Sequence, residues 1–116
     1  MALELFIFGL NHQTAPVEIR ERLAFAEDEI LSALSNLKHS APSVAEATLI
    51  STCNRVELVA VSADSARAQE ELRDFLATQR RVEAGAFEKA LYRLEGREAV
   101  RHLFRVGASL DSMVVG

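Results

Sequence analysis

Hydrophobic and polar positions follow two rhythms along this chain, and the switches between them mark its elements. Leu3 to Phe8 is a nearly continuous apolar run closed by Gly9, the pattern of a strand covered on at least one face. Asn11 to Pro16 is a polar turn, after which Val17 to Leu23 mixes helical and extended spacing and reads as one or two helical turns. Ile30, Leu31, Leu34 and Leu37 recur at helical spacing, with Glu27, Asp28 and Glu29 at the front and Lys38 and His39 at the back, the charge order a helix dipole favours. Pro42 closes that region. Ala47 to Ser51 and Val56 to Val61 are β-rich runs around a polar pentapeptide and predict a hairpin or neighbouring strands. From about Ser65 to Arg80, Ala68, Leu72, Phe75 and Leu76 share one helical face with no breaker between them. Leu91 to Leu94 gives a last strand, and Gly96 precedes a final helix whose buried stripe should be Ala99, Val100, Leu103 and Phe104.

The resulting order, βαββαβ plus a C-terminal helix, predicts an α+β fold. It is that of a ferredoxin-like split βαβ sandwich, an antiparallel sheet with two helices on one face. With 116 residues and no repeat or linker, residues 1–116 form one domain, too small to add a complete dinucleotide-binding unit to a catalytic one. The apolar ending Met113-Val114-Val115-Gly116 has neither cap nor polar tail, so a natural chain that continues past it is expected.

Composition narrows the class. A chain that is 49% hydrophobic and 26% charged is globular, not disordered. No run approaches the roughly 18 apolar residues that cross a bilayer, and no signal peptide is visible, so no membrane is expected and the cytoplasm is the expected location. A net charge of −4 argues against indiscriminate coating of nucleic acid.

Cys53, the single cysteine, sits in Ser51-Thr52-Cys53-Asn54-Arg55 between the two β-rich runs. It has no disulfide partner and too few companion thiols for a structural zinc site, leaving packing or reactivity. A free thiol has a pKa of about 8.5, so a nucleophilic role needs a nearby cation or helix N-terminus, and Arg55, two residues on, is such a cation. The polar neighbours line a core poorly but suit a pocket that donates to a carboxylate or a developing oxyanion. An acid or base partner would come from His12, His39 or His102. His39 ends an exposed helix, whereas His102 lies at the flank of the final helix's apolar stripe, able to edge a cleft.

Gly9 to Val17, Arg20-Glu21-Arg22, the pentapeptide continued by Val56-Glu57-Leu58, His102 to Val106 and Leu110 to Gly116 together resemble the N-terminal catalytic domain of the glutamyl-tRNA reductase family. The likeness spans the chain in the family's order. It implies the first step of tetrapyrrole synthesis. The cysteine thiolate attacks the ester joining glutamate to its tRNA, and NADPH reduces the resulting thioester to glutamate-1-semialdehyde. Cys53 takes the nucleophile's place and His102 that of the histidine needed for full activity. Thr52, Cys53, Asn54, Arg55 and Ser112 match the substrate positions, Arg55 being suited to the substrate carboxylate. No residue of this chain is expected to bind a metal or the cofactor. NADPH would be held by a downstream domain, since no Gly-x-Gly-x-x-Gly follows a strand here. The resemblance further implies glutamyl-tRNA as partner, glutamate-1-semialdehyde aminotransferase as a possible one, a homodimer through helices absent from this chain, and haem as a regulator of some members.

One departure concerns the last motif, where the family's glycine falls at Ser109 and this chain instead has Gly107. A glycine ending the helix there would stop it early at Gly107. The contrasting reading is a non-catalytic ferredoxin-like module that binds RNA or an effector, which would need exposed aromatics on its sheet.

Overall fold

The computed structural model describes residues 2–115, with side chains described as far as Gly107. Its elements run β1 (Glu4–Asn11), α1 (Val17–Leu23), α2 (Glu27–Ser40), β2 (Glu46–Ser51), β3 (Arg55–Ser62), α3 (Ser65–Arg80), β4 (Tyr92–Glu95) and α4 (Gly96–Val115). Two short 3-10 turns, Ala84–Ala86 and Glu88–Ala90, join α3 to β4. The four strands form one sheet in the order β2-β3-β1-β4, antiparallel throughout.

The strand period of two divides the sheet into unlike faces. Phe6, Phe8 and Leu10 of β1 stand opposite Ala60, Leu58 and Val56 of β3. All six are buried, and with Leu49 they pack against Leu23 of α1, Ala33 and Leu37 of α2, and Ala68, Leu72, Phe75 and Leu76 of α3. On the reverse face the register sets Ile7 between Val59 and Leu94, Gly9 between Glu57 and Tyr92, and Asn11 beside Arg55. Helix α4 contacts β1 and β4 and covers this face, burying Ala99 and Val106.

Local chemistry accounts for the element ends. The Asp64 carboxylate accepts from the Arg67 N–H at 3.2 Å and caps α3, whose last residue gives way to Arg81 in the left-handed region, φ 54°. At the front of α2, Glu29 reaches back to accept from the Ala26 N–H at 2.8 Å. Gly96, with φ 56°, supplies the left-handed turn from β4 into α4.

Three expectations are corrected. Gly9 does not close the first strand, because β1 runs on to Asn11. A Cβ on Gly9 would lie 2.1 Å from the Val56 carbonyl oxygen and 2.8 Å from the Glu57 Cα, so glycine is there to let β3 approach. The stripe of the final helix is rotated. Ala99 is buried, but Val100 is 43% and Phe104 76% exposed, and the residues turned to the sheet are Ala99, His102 and Val106. Those three fall within about 60° on a helical wheel. The sheet beneath presents a carboxylate and a phenol, which an imidazole satisfies and a phenylalanine would leave unpaired. Nor does α4 end at Gly107, whose φ is not positive and beside which a Cβ would meet open space.

Candidate active site

The pentapeptide forms the connection between β2 and β3, and Cys53 lies exposed at its bend. Backbone bonding shapes the turn: Thr52 N–H donates to the Arg55 carbonyl at 2.8 Å, and Asn54 N–H to Thr52 Oγ1 at 3.2 Å. Ser51 Oγ faces the other way and accepts from the Phe25 N–H at 2.8 Å. Arg20 of α1 ties the bend down, donating from Nη1 to the Cys53 carbonyl at 2.8 Å and from Nε to the Ala15 carbonyl at 3.2 Å. A thiol on a tethered, solvent-facing turn is open to an incoming electrophile, whereas a packed one is not.

Beside that turn, on the face under α4, lies a polar cluster. Glu57 is 1% exposed. Its Oε2 lies 2.6 Å from His102 Nε2 and accepts from the Tyr92 hydroxyl, and its Oε1 lies 3.5 Å from Arg55 Nη1. Arg55 Nη1 is also 3.3 Å from His102 Nε2. Asn11 Nδ2 donates to the Tyr92 oxygen at 3.3 Å, and the Tyr92 and His102 rings meet edge to face at 6.3 Å. Burial, then the hydrogen bond to Glu57 and its charge, push the Tyr92 hydroxyl well above the ordinary phenol range. The cluster exists because β4 pairs on the far side of β1 from β3. Glu57 and Tyr92 both register with Gly9, and the bare glycine leaves no side chain between them.

A cleft of about 400 Å³ opens over this cluster, walled by Asn11, the His12–Thr14 turn, Arg55, Tyr92, His102 and Arg105. Its floor turn is rigid: Gln13 N–H donates to Asn11 Oδ1 at 2.8 Å and Asn11 N–H to Thr14 Oγ1 at 3.0 Å. Arg55, Arg105 and the imidazoles give it the donors an anionic group needs.

Of the residues singled out from sequence, the structure brings Arg55 and His102 together on the cleft wall, with Cys53 exposed two residues from Arg55. Thr52, Cys53 and Asn54 belong to the turn before Arg55, and none of the three lines the cleft itself. Ser112 lies outside the residues whose side chains are described. His12 lines the cleft and His39 is exposed on α2. Sequence reasoning passed over Glu57, Tyr92, Asn11 and Arg20. A signal for the first was present: a lone carboxylate in Arg55-Val56-Glu57-Leu58-Val59, out of phase with the core positions. Among the described residues no group of His, Cys, Asp and Glu is placed to hold a metal ion, and no helix is long and apolar enough to cross a membrane.

A family model described as "Glutamyl-tRNAGlu reductase, N-terminal domain" matches residues 8–116. The chain belongs to that family. A glutamyl-tRNA reductase of Stenotrophomonas maltophilia is 54% identical over 114 residues, and one of Solibacter usitatus 48% identical over the same length. Each match takes in 98% of this chain but only 25% and 27% of the relative, so the chain spans about a quarter of their length. A solved glutamyl-tRNA reductase from Methanopyrus kandleri superimposes with a TM-score of 0.64 at 34% identity, covering 94% of this chain and 23% of that one. The α/β domain with its four-stranded antiparallel sheet is therefore of the kind found in the glutamyl-tRNA reductase N-terminal domain.

Proposed function

We propose that this chain is the glutamyl-accepting catalytic domain of a glutamyl-tRNA reductase, in which Cys53 takes the acyl group from glutamyl-tRNA. The observation that carries the reading is the exposed Cys53 on a turn pinned by Arg20, beside a cation-lined cleft that Arg55 and His102 share. The Cys53 sulfur, as thiolate, bonds to the ester carbonyl carbon. The carbonyl electron pair moves to oxygen and returns as the carbon–oxygen bond to the terminal ribose breaks, giving a thioester and free tRNA. The thiol's proton and the proton the leaving ribose oxygen needs are balanced. His102, on the cleft wall beside Arg55, is assigned that proton transfer. Because the α-carboxyl is the esterified one, the free carboxylate of the glutamyl group is on its side chain. Arg55 is assigned to it, a role supported by a guanidinium with five donors of which few are used by Glu57. Thr52, Asn54 and Ser112 are assigned to the same substrate by their place in the family motif.

A nicotinamide dinucleotide does not fit these residues. The sheet is antiparallel, without the switch point between parallel strands, and no glycine-rich turn joins β1 to α1. Hydride donation from NADPH, which yields glutamate-1-semialdehyde for tetrapyrrole synthesis, is assigned to a domain beyond this chain. So are the homodimer contacts and any docking of the aminotransferase. The strand order, with α4 as an addition on the reverse face, supports the ferredoxin-like class, and the cytoplasm suits an enzyme that depends on a free thiol. The RNA- or effector-binding alternative is disfavoured because helices cover both sheet faces and the one tyrosine is engaged with Glu57.

The test is incubation with glutamyl-tRNA followed by mass spectrometry of the intact protein. A glutamyl adduct on Cys53, absent from Cys53→Ser, is the expected result. No adduct on folded protein, or equal labelling of both, defeats the reading.

A further inference from the structure

Glu57 touches no reacting atom in the proposed acyl transfer, yet among the described residues it is the charged side chain that the fold buries completely. Desolvating a carboxylate costs several kcal/mol unless its lone pairs are met, and an apolar residue would fill the same place without that cost. Here they are met from three sides. Oε2 receives the Tyr92 hydroxyl and faces His102 Nε2 at 2.6 Å, while Oε1 faces the Arg55 guanidinium at 3.5 Å. The Asn11 amide occupies the Tyr92 oxygen from behind at 3.3 Å, leaving the phenol proton for Glu57. Every bond in this chain of contacts runs one way, toward the carboxylate.

That direction has a chemical consequence. A carboxylate only accepts, so His102 Nε2 must carry a proton, and Nδ1 is the ring nitrogen left to exchange one. Arg55 is a permanent donor, so its 3.3 Å approach to Nε2 is not a hydrogen bond between them. Two donors that would otherwise repel are drawn side by side by one buried anion.

We propose that Glu57 is a positioning residue, an anionic anchor that holds His102 with Nε2 protonated and keeps Arg55 at the cleft wall, with Tyr92 as the donor that completes it. The anchor itself stands on geometry, and its catalytic consequence rests on the acyl-transfer reading above.

Nitrogen-15 labelling of histidine tests it in the intact chain. The folded protein should show a His102 ring proton coupled to Nε2, shifted downfield and slow to exchange with water. Glu57→Gln, nearly isosteric, should move that resonance upfield and speed its exchange, and should slow Cys53 acylation by glutamyl-tRNA by roughly 10- to 100-fold, the scale of a small misplacement of a catalytic group. Tyr92→Phe removes a competing donor from the same oxygen and should move the resonance the other way, further downfield. That opposite sign separates an anchor from general loosening and covers the case in which Glu57→Gln does not fold. A resonance indifferent to the available variants, or an acylation rate unchanged in Glu57→Gln, overturns the proposal. A chain whose Cys53 accepts no glutamyl group while the resonance behaves as stated overturns the acyl-transfer reading and upholds the anchor.

Discussion

The two faces of the sheet are made from the same strands and could hardly be less alike. Toward α1, α2 and α3, β1 and β3 present Phe6, Phe8, Leu10, Val56, Leu58 and Ala60, all buried in hydrocarbon. Toward α4 the alternate positions present Gly9, Asn11, Arg55 and Glu57, and a cleft. The first face is built for stability, since apolar burial is additive and non-directional. The second gives some of that up for a hydrogen-bonded cluster whose members each need particular partners. A domain of this size can hold a polar site at its centre because the opposite face supplies the core.

That division can be broken from either side. The largest effect is expected from the apolar face: Phe75, 2% exposed among the core residues, should cost about 3–5 kcal/mol when changed to Ala, read as a lower urea midpoint with an unchanged slope. The native fraction that remains should still acylate Cys53. Next is Gly9→Ala, which sets a methyl group against the Val56 carbonyl in the middle of the sheet and should destabilise by about 1–3 kcal/mol, while separating Tyr92 from Glu57.

The smallest effect is confined to alkaline pH. The Tyr92 phenol is raised in the folded state, so folding favours its protonated form. The stability it contributes is complete below the unfolded phenol's pKa of about 10 and is lost as pH climbs beyond that toward the higher folded value. Tyr92 is the chain's one tyrosine and there is no tryptophan, so ultraviolet absorbance reads it alone. Folded protein just above pH 10 should lack the phenolate band that appears on adding denaturant, and the stability difference from Tyr92→Phe should shrink from there upward. A band of equal strength in both states would remove the case that Tyr92 is desolvated against Glu57.

How far the sequence could be read follows the same division. The bounds of α3 were legible to the residue because its apolar positions share one phase, Asp64 caps it and no breaker interrupts it. The strands of the apolar face were legible within a few residues for the same reason. The phase of α4 was not. It carries apolar residues in two phases, and the choice between them is made by Glu57 and Tyr92, whose contact joins residues 35 apart in the chain. Gly9 misled because a glycine within a run reads locally as a terminator, while its actual purpose, close approach of β3, depends on pairing. Cys53, Arg55 and His102 stood out as a lone thiol, a cation two residues on and an imidazole at a helix flank, and the resemblance of their motifs gave them roles. Their mutual arrangement, and the carboxylate that organises two of them, required the strand order.

In the proposed function the polar face binds a glutamyl group and delivers its carbonyl to Cys53. The direct measurement is the single-turnover rate of Cys53 acylation by glutamyl-tRNA compared with the same tRNA carrying glutamine, whose side-chain amide has the same shape but no charge. Glutamate should transfer faster, with the preference largely erased in Arg55→Met. Equal rates for the two esters in the unaltered chain would contradict it.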